Sequence, residues 1–341
     1  MKVGEVIELA KEWIGVEGSQ MPGFLGAHLG GSLSSLAKEA PFPLYRDLDL
    51  YIVSQSEKDR HIRPYLHKGL MVDAQYSSPK YYQSPEIILA NPHLAYHIAA
   101  GAILSDPTGM LQALHQTVKK AYARRQWVAA RIEYEKQELI VPVLETPEFN
   151  ALVLYLVIMN LGGLIAVADL KNPAHRRSLI LLKEILQARG DTTLHDRTLQ
   201  VLGSADMSQE QVFSYLPHIQ EAFRRAAAVY HTPIPHVGFK LRSDREPYYV
   251  AASQEMIDEG HHREAMLWML GAIHLANTAI QNDAPEEEKP TFQAKYDSLL
   301  RDLGLSKPEH WQQRQQQLRS LVTHFFNLAA NIVASHPMIR D

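Results

Sequence analysis

At 341 residues the chain exceeds what a single hydrophobic core ordinarily organises, so two domains are expected. Its 46% hydrophobic and 21% charged content is that of a packed globular protein and excludes a disordered chain. A formal net charge of -4 excludes a broad nucleic-acid surface, and the lack of cysteine excludes disulfides, thiolate metal sites and cysteine nucleophiles.

Residues 2–14 place Val3, Val6, Ile7, Ala10, Trp13 and Ile14 at helical spacing, which predicts an amphipathic helix covering a sheet. The segment lacks the continuous apolar region of a signal peptide, so a cytoplasmic location is expected. A strand follows over 23–29, then the turn Gly30-Gly31-Ser32, a helix-compatible run from Leu33 to Glu39 and a proline-broken connection. The next strand, Asp47 to Val53, alternates strictly. Asp47, Asp49 and Tyr51 share one face, while Leu48, Leu50 and Ile52 share the other. Residues 54–68 read as a charged loop in which His61 and His67, six apart, are solvated, and 70–76 read as another strand. Asp106 reads as a cap for the helix that follows it.

Beyond Pro107 the pattern is helical, with helices expected near 108–138, 147–168, 173–189, 208–230, 251–281, 287–303 and 308–334. The apolar run 151–168 contains Asn160, Gly162 and Gly163 and barely reaches spanning length, so it reads as a buried core helix. Three prolines and a glycine near 231–249 break the helical part into two lobes. The acidic cluster from Asp283 to Glu288 reads as a solvated turn, and His261-His262-x-Glu264 as no metal site, because adjacent residues on a helix point apart.

Two carboxylates side by side on one strand repel unless a cation accompanies them. Hard oxygen donors on a rigid strand suit Mg²⁺, with phosphates completing its coordination. The Gly30-Gly31 turn permits close backbone approach to a ligand, and a helix starting near Ser32 would favour an anion. The order Gly-Gly-Ser, helix, then Asp-apolar-Asp-apolar on a strand resembles the nucleotidyltransferase superfamily that includes DNA polymerase beta. Within it, the chain looks most like the antibiotic (aminoglycoside and lincosamide) nucleotidyltransferases. The run Ala99 to Gln112, AAGAILSDPTGMLQ, is similar to a helix-ending motif of those enzymes. Together these motifs span about the first third of the chain. The chain departs from the family pattern in two places: 14 residues separate Ser32 from Asp47, slightly more than usual, and Arg46 stands where a serine is common.

The resemblance implies an α+β chain: a small mixed-sheet nucleotidyltransferase domain over residues 1–105, then an all-helical domain over 106–341. It implies two Mg²⁺ ions held by Asp47 and Asp49, with Asp73 as a third acidic ligand on a neighbouring strand. Gly30, Gly31 and Ser32 would hold the phosphates, and Glu86 would be the general base. The implied reaction moves a nucleoside monophosphate from an NTP, ATP first, to a hydroxyl of a small molecule such as an antibiotic. The alternatives are a non-catalytic nucleotide-binding regulator and AMP transfer onto a protein of the toxin-antitoxin kind. Expected partners are the NTP and the small acceptor; a homodimer is left open, and neither a membrane nor an extended nucleic acid is expected. Arg319 and His324 have a spacing that resembles HEPN ribonucleases, but 17 histidines make such a match ordinary, and ribonuclease activity is not expected.

Overall fold

The computed structural model describes residues 1–34, 36–55, 60–61 by main chain only, 65–146, 148–173, 175–234 and 240–341. The chain forms two compact units, one of Met1–Lys136, Ala166–Ala174 and Ala329–Asp341, the other of Gln137–Ile165 and His175–Leu328. The architecture is α+β: one small mixed sheet near the start of the chain, then helices.

In the first unit, α1 (Val3–Val16) precedes β1 (Phe24–Leu29), β2 (Asp47–Ser54), β3 (Arg60–His61), β4 (Tyr65–His67), β5 (Leu70–Ser77) and β6 (Ile103–Ser105). The sheet order is β3-β5-β2-β1-β6, with β4 also paired to β5. The central pair, β2 and β5, is parallel, and β1 runs antiparallel to β2. Alternation sets the two faces of β2: Leu48, Leu50 and Ile52 are buried in one cluster with Val3, Val6, Ala10, Trp13 and Ile14 of α1. The opposite face carries Asp47, Asp49 and Tyr51.

The run from Leu33 to Glu39 does not form the expected helix. Gly31–Ser34 make one 3₁₀ turn, and the carbonyls that a helix would use are engaged elsewhere. Lys38 O accepts from Gly4 N and Ala40 O from Val3 N, at 2.8 and 2.9 Å, so this strap satisfies two of the free amides at the start of α1. The loop expected over 54–68 also contains structure: Lys68 and Gly69, both at positive φ, close a tight hairpin between β4 and β5. His67 is therefore half-buried in a strand rather than solvated, and the side chain of His61 lies outside the described residues.

Four helices complete this part of the chain: α2 (Pro85–Ala90), α3 (Pro92–Ala100), α4 (Met110–Ala121) and α5 (Arg125–Tyr134). Ser84 and Asn91 cap α2 and α3, each ahead of a proline at the first helical position. Asp106 Oδ2 accepts from Gln112 N at 2.8 Å, which fits its reading as a cap. Expected as one helix, 108–138 is broken at 122–124, where Arg125 N donates to Arg340 O and Arg340 N to Ala123 O. A π-helical stretch, Glu135–Ile140, follows α5.

The remaining helices are α6 (Val141–Leu144), α7 (Ala151–Ala168), α8 (Ser178–Ala188), α9 (Thr193–Leu202), α10 (Gln209–Ser214), α11 (Leu216–Val229), α12 (Glu246–Asp258), α13 (His262–Asp283), α14 (Lys289–Asp302) and α15 (Pro308–Ser335). By length and composition α7 could cross a membrane, but 83% of it is buried inside the protein, as a core helix would be. Gly260, at φ +81°, ends α12 and divides a stretch expected to be continuous. Asp283 is not in a solvated turn: its buried carboxylate accepts from the amides of His231 and Thr232, at 2.7 and 2.9 Å.

Candidate active site

The parallel register sets Asp49 directly beside Asp73 and Asp47 beside Met71. Side chains two residues apart share a face, so the three carboxylates converge. One ligand oxygen from each of Asp47, Asp49 and Asp73 lies within 4.8 Å of the others, and all three residues are half-buried. Two unit charges 4 Å apart repel by about 4 kcal/mol at the effective dielectric of a protein surface, so the cluster favours a cation strongly. An all-carboxylate donor set matches a hard ion such as Mg²⁺ and not a thiophilic or imidazole-seeking one.

The glycine turn lies against this cluster. Gly31 has φ +56°, and a β-carbon there would stand 1.7 Å from Asp49 Oδ2; at Gly30 it would stand 2.3 Å from the Tyr51 ring. The two glycines thus keep the wall beside Asp49 as thin as backbone allows. Their own amides are engaged inside the protein: Gly30 N donates to Asp49 O at 3.0 Å, and Gly31 N to His97 Nε2 at 3.1 Å. Asn172 Nδ2 holds the Gly31 carbonyl at 3.0 Å. Ser32 is the next residue of the turn.

Beneath the turn runs a column of rings. His28 and Tyr51 are cross-strand partners, stacked 5.0 Å apart and 2° from parallel, and Tyr51 meets His97 at 5.4 Å. The buried His28 donates from Nδ1 to Leu29 O and accepts at Nε2 from the Tyr82 hydroxyl, at 3.0 and 2.8 Å. Burial, partly offset by the Leu29 carbonyl, holds its pKa down at about 4, so the ring is neutral at pH 7. Burial first, then the charges of Asp49 and Asp73, push the Tyr51 phenol well above its ordinary range. Its proton is therefore retained beside the carboxylates.

Glu86 stands apart from this cluster, exposed in the first turn of α2. The Ser84 hydroxyl, then its own backbone amide, hold its carboxylate below the usual range. Elsewhere, Glu264 is buried against His195 and Lys183, each 3.2 Å away, while His262 Nε2 faces Met207 O. Among the described residues, the three aspartates are the one group of acidic or histidine side chains close enough to share an ion. His324 is exposed with Nδ1 on Ser320 O, one helical turn back.

The supporting residues His97 and Asn172 had no signal in the local sequence, since they stand 66 and 141 residues from Gly31. No family model and no curated protein matches the chain. Among solved structures, it is similar to a nucleotidyltransferase-like protein from Exiguobacterium sibiricum 255-15, at 12% identity over 94% of this chain and 91% of that one. The TM-score is 0.26, too low for that likeness to carry weight beside the geometry.

Proposed function

We propose that the chain is a nucleotidyltransferase that moves a nucleoside monophosphate from an NTP, ATP first, to a hydroxyl of a small molecule and releases pyrophosphate. The observation that carries this reading is the convergence of Asp47, Asp49 and Asp73 beside a turn that two glycines keep free of side chains. Asp47 and Asp49 are the ligands for Mg²⁺, and Asp73 joins them from the neighbouring strand. Bound there, Mg²⁺ would neutralise phosphate charge and stabilise the entering and leaving oxygens. Gly30 and Gly31 let Tyr51 and Asp49 pack directly against the turn, so the phosphates would approach from the carboxylate side, with the Ser32 hydroxyl next along the turn. Asn172 and His97 keep the turn in place, and the retained Tyr51 proton leaves an O–H donor on the carboxylate face. Glu86, held ionised, is the candidate base, a role that requires it to come within about 3 Å of the acceptor hydroxyl.

The acceptor we infer is a neutral or cationic hydroxyl compound such as an amino sugar, because the acidic face attracts positive charge. Pyrophosphate release and label transfer from ATP should be measured across aminoglycosides, lincosamides, anionic sugars and candidate proteins, with Asp47→Asn, Asp73→Asn and Glu86→Gln alongside. Both aspartate variants should lose at least a hundredfold in turnover, while Glu86→Gln loses turnover and keeps ATP binding. Wild-type turnover in a folded Asp47→Asn protein sinks the assignment. Labelling confined to a protein or to an anionic acceptor refutes the acceptor class alone, and tight Mg·ATP binding without any transfer identifies a nucleotide-binding regulator.

A further inference from the structure

Within the second unit, α7 and α13 line a cavity of about 300 Å³. Between Ala151 and Ile165 of α7 only Leu152, Tyr155 and Leu156 are partly exposed, and between Glu264 and Ile280 of α13 only Gly271, His274 and Thr278. Each set follows one helical face, at i, i+3, i+4 and at i, i+3, i+7. All six residues line the cavity, so the accessible surface of these otherwise buried stretches opens onto it. Trp268, stacked on Tyr249 at 5.2 Å and 14°, adds flat ring surface to the wall. At Gly271 an added β-carbon would stand 2.8 Å from the Tyr155 ring, so that ring lies directly on the α13 backbone.

Two polar groups in that surface are open. The Tyr155 hydroxyl is accessible and has no hydrogen-bond partner among the described residues. On α13, His274 Nδ1 lies 2.7 Å from the Tyr296 hydroxyl. That buried phenol has no other acceptor among the described residues, so Nδ1 accepts its proton and the ring's own proton sits on Nε2. Burial holds the His274 pKa down at about 4, which keeps the ring neutral at pH 7. Its Nε2 is likewise accessible and unpartnered among the described residues. The Thr278 hydroxyl, by contrast, already donates to His274 O at 2.9 Å. An O–H and an N–H, both uncharged, therefore face a largely apolar and aromatic space. The basic side chains at its wall, His175 and Lys240, have partners of their own. A charged ligand would lose its hydration there without a free counter-charge, whereas a carbonyl oxygen needs only a donor. An apolar cavity of roughly 150 Å³ takes a benzene ring, so this volume accommodates two fused rings. We propose that the cavity binds a neutral two-ring compound whose carbonyl oxygen accepts from the Tyr155 O–H, with the His274 Nε2–H as second donor.

This inference does not rest on nucleotidyl transfer, and its test uses the full chain without nucleotide or metal. Titrate 1-indanone into the wild-type protein by ligand-observed NMR, with indane, the same skeleton without the oxygen, and 1-aminoindane, its cationic counterpart. One-to-one saturable binding of indanone is expected, with a Kd at or below about 1 mM and the cation at least tenfold weaker. Tyr155→Phe removes the hydroxyl and breaks no hydrogen bond among the described residues, so it should fold as the wild type does. This variant should weaken indanone about tenfold and leave indane within about twofold, a split that a merely structural change would not produce. Leu156→Trp should fill the cavity and abolish binding of both. Its folding is checked by thermal unfolding, and where it does not fold the Tyr155→Phe comparison decides. No saturable binding to folded wild type at about 5 mM indanone overturns the proposal, as does an unchanged indanone-to-indane ratio in Tyr155→Phe or a cation bound as tightly as the ketone.

Discussion

At Gly31 one residue serves two requirements that usually fall to different positions. Its φ of +56° is strained for any side chain, and its missing β-carbon leaves the space that Asp49 Oδ2 fills. Gly31→Ala should therefore displace a metal ligand as well as strain the turn. Its expected signature is destabilisation by about 1–3 kcal/mol together with loss of Mg²⁺ binding, read by denaturant unfolding and by calorimetric titration. Asp47→Asn separates the two effects, because it removes one of three crowded charges and keeps the shape. In chelator this variant should unfold at or above the wild-type temperature, by up to about 1 kcal/mol, since half-exposed charges retain only part of their mutual repulsion. Mg²⁺ should raise the melting temperature of the wild type and not of Asp47→Asn. A fall in stability in chelator would mean that the carboxylate is held by a structural ion pair.

Among elements, the buried ionic contact joining α8, α9 and α13 outweighs any surface pair. Burial alone would raise the Glu264 carboxyl, but the His195 ring 3.2 Å away, its own backbone amide and the Lys183 ammonium carry it down to about 2. A depressed acid contributes stability that is complete above its unfolded value near 4.5 and is lost as pH falls toward 2. Glu264→Gln should cost about 3 kcal/mol at pH 7, leaving Lys183 without its counter-charge, and should flatten the acid limb of stability below pH 4.5. Denaturant unfolding between pH 3 and 7 measures both. Legibility in the sequence differed among elements for physical reasons. The period-2 alternation of 47–53 and 70–76 belongs to the strands themselves, so the sheet core and the three aspartates could be read in advance. The division at Gly260 also had its residue in plain view, as did the Lys68-Gly69 hairpin. By contrast, the break after α4 is made by Arg340 and the turn at 37–41 is tied to the start of α1, and no local pattern announces a partner so distant in the chain. Helix α9 went unread because its Thr, His and Asp residues weaken the propensity signal while tertiary burial of Leu199 and Leu202 stabilises it.

Over the whole molecule, groups buried in their neutral form govern the response to pH. In the first unit, His28 and His93 are each lowered to about 4 by burial, and Glu135 is raised to about 8 by burial. A lowered histidine contributes stability that is complete above pH 6.5 and lost as pH falls from there to 4. A raised carboxyl contributes stability that is complete below pH 4.5 and lost as pH rises to 8. Each changes stability by at most about 1.4 kcal/mol per pH unit within its window. Two histidines outweigh one glutamate between 4.5 and 6.5, so this unit should be most stable near pH 6.5 and weaken on both sides. Glu135→Gln should remove the decline between 6.5 and 8, which unfolding across pH 5–9 would reveal. The chain also passes between its two units at residues 137, 166, 175 and 329. The first unit takes its closing piece from 329–341, where Val333 O, Arg340 O and the Asp341 carboxylate all receive Arg125. During synthesis the ribosome therefore releases the sheet and its carboxylates long before the segment that finishes their unit. A nascent chain arrested after residue 328 should remain protease-sensitive at 122–125 until residues 329–341 emerge.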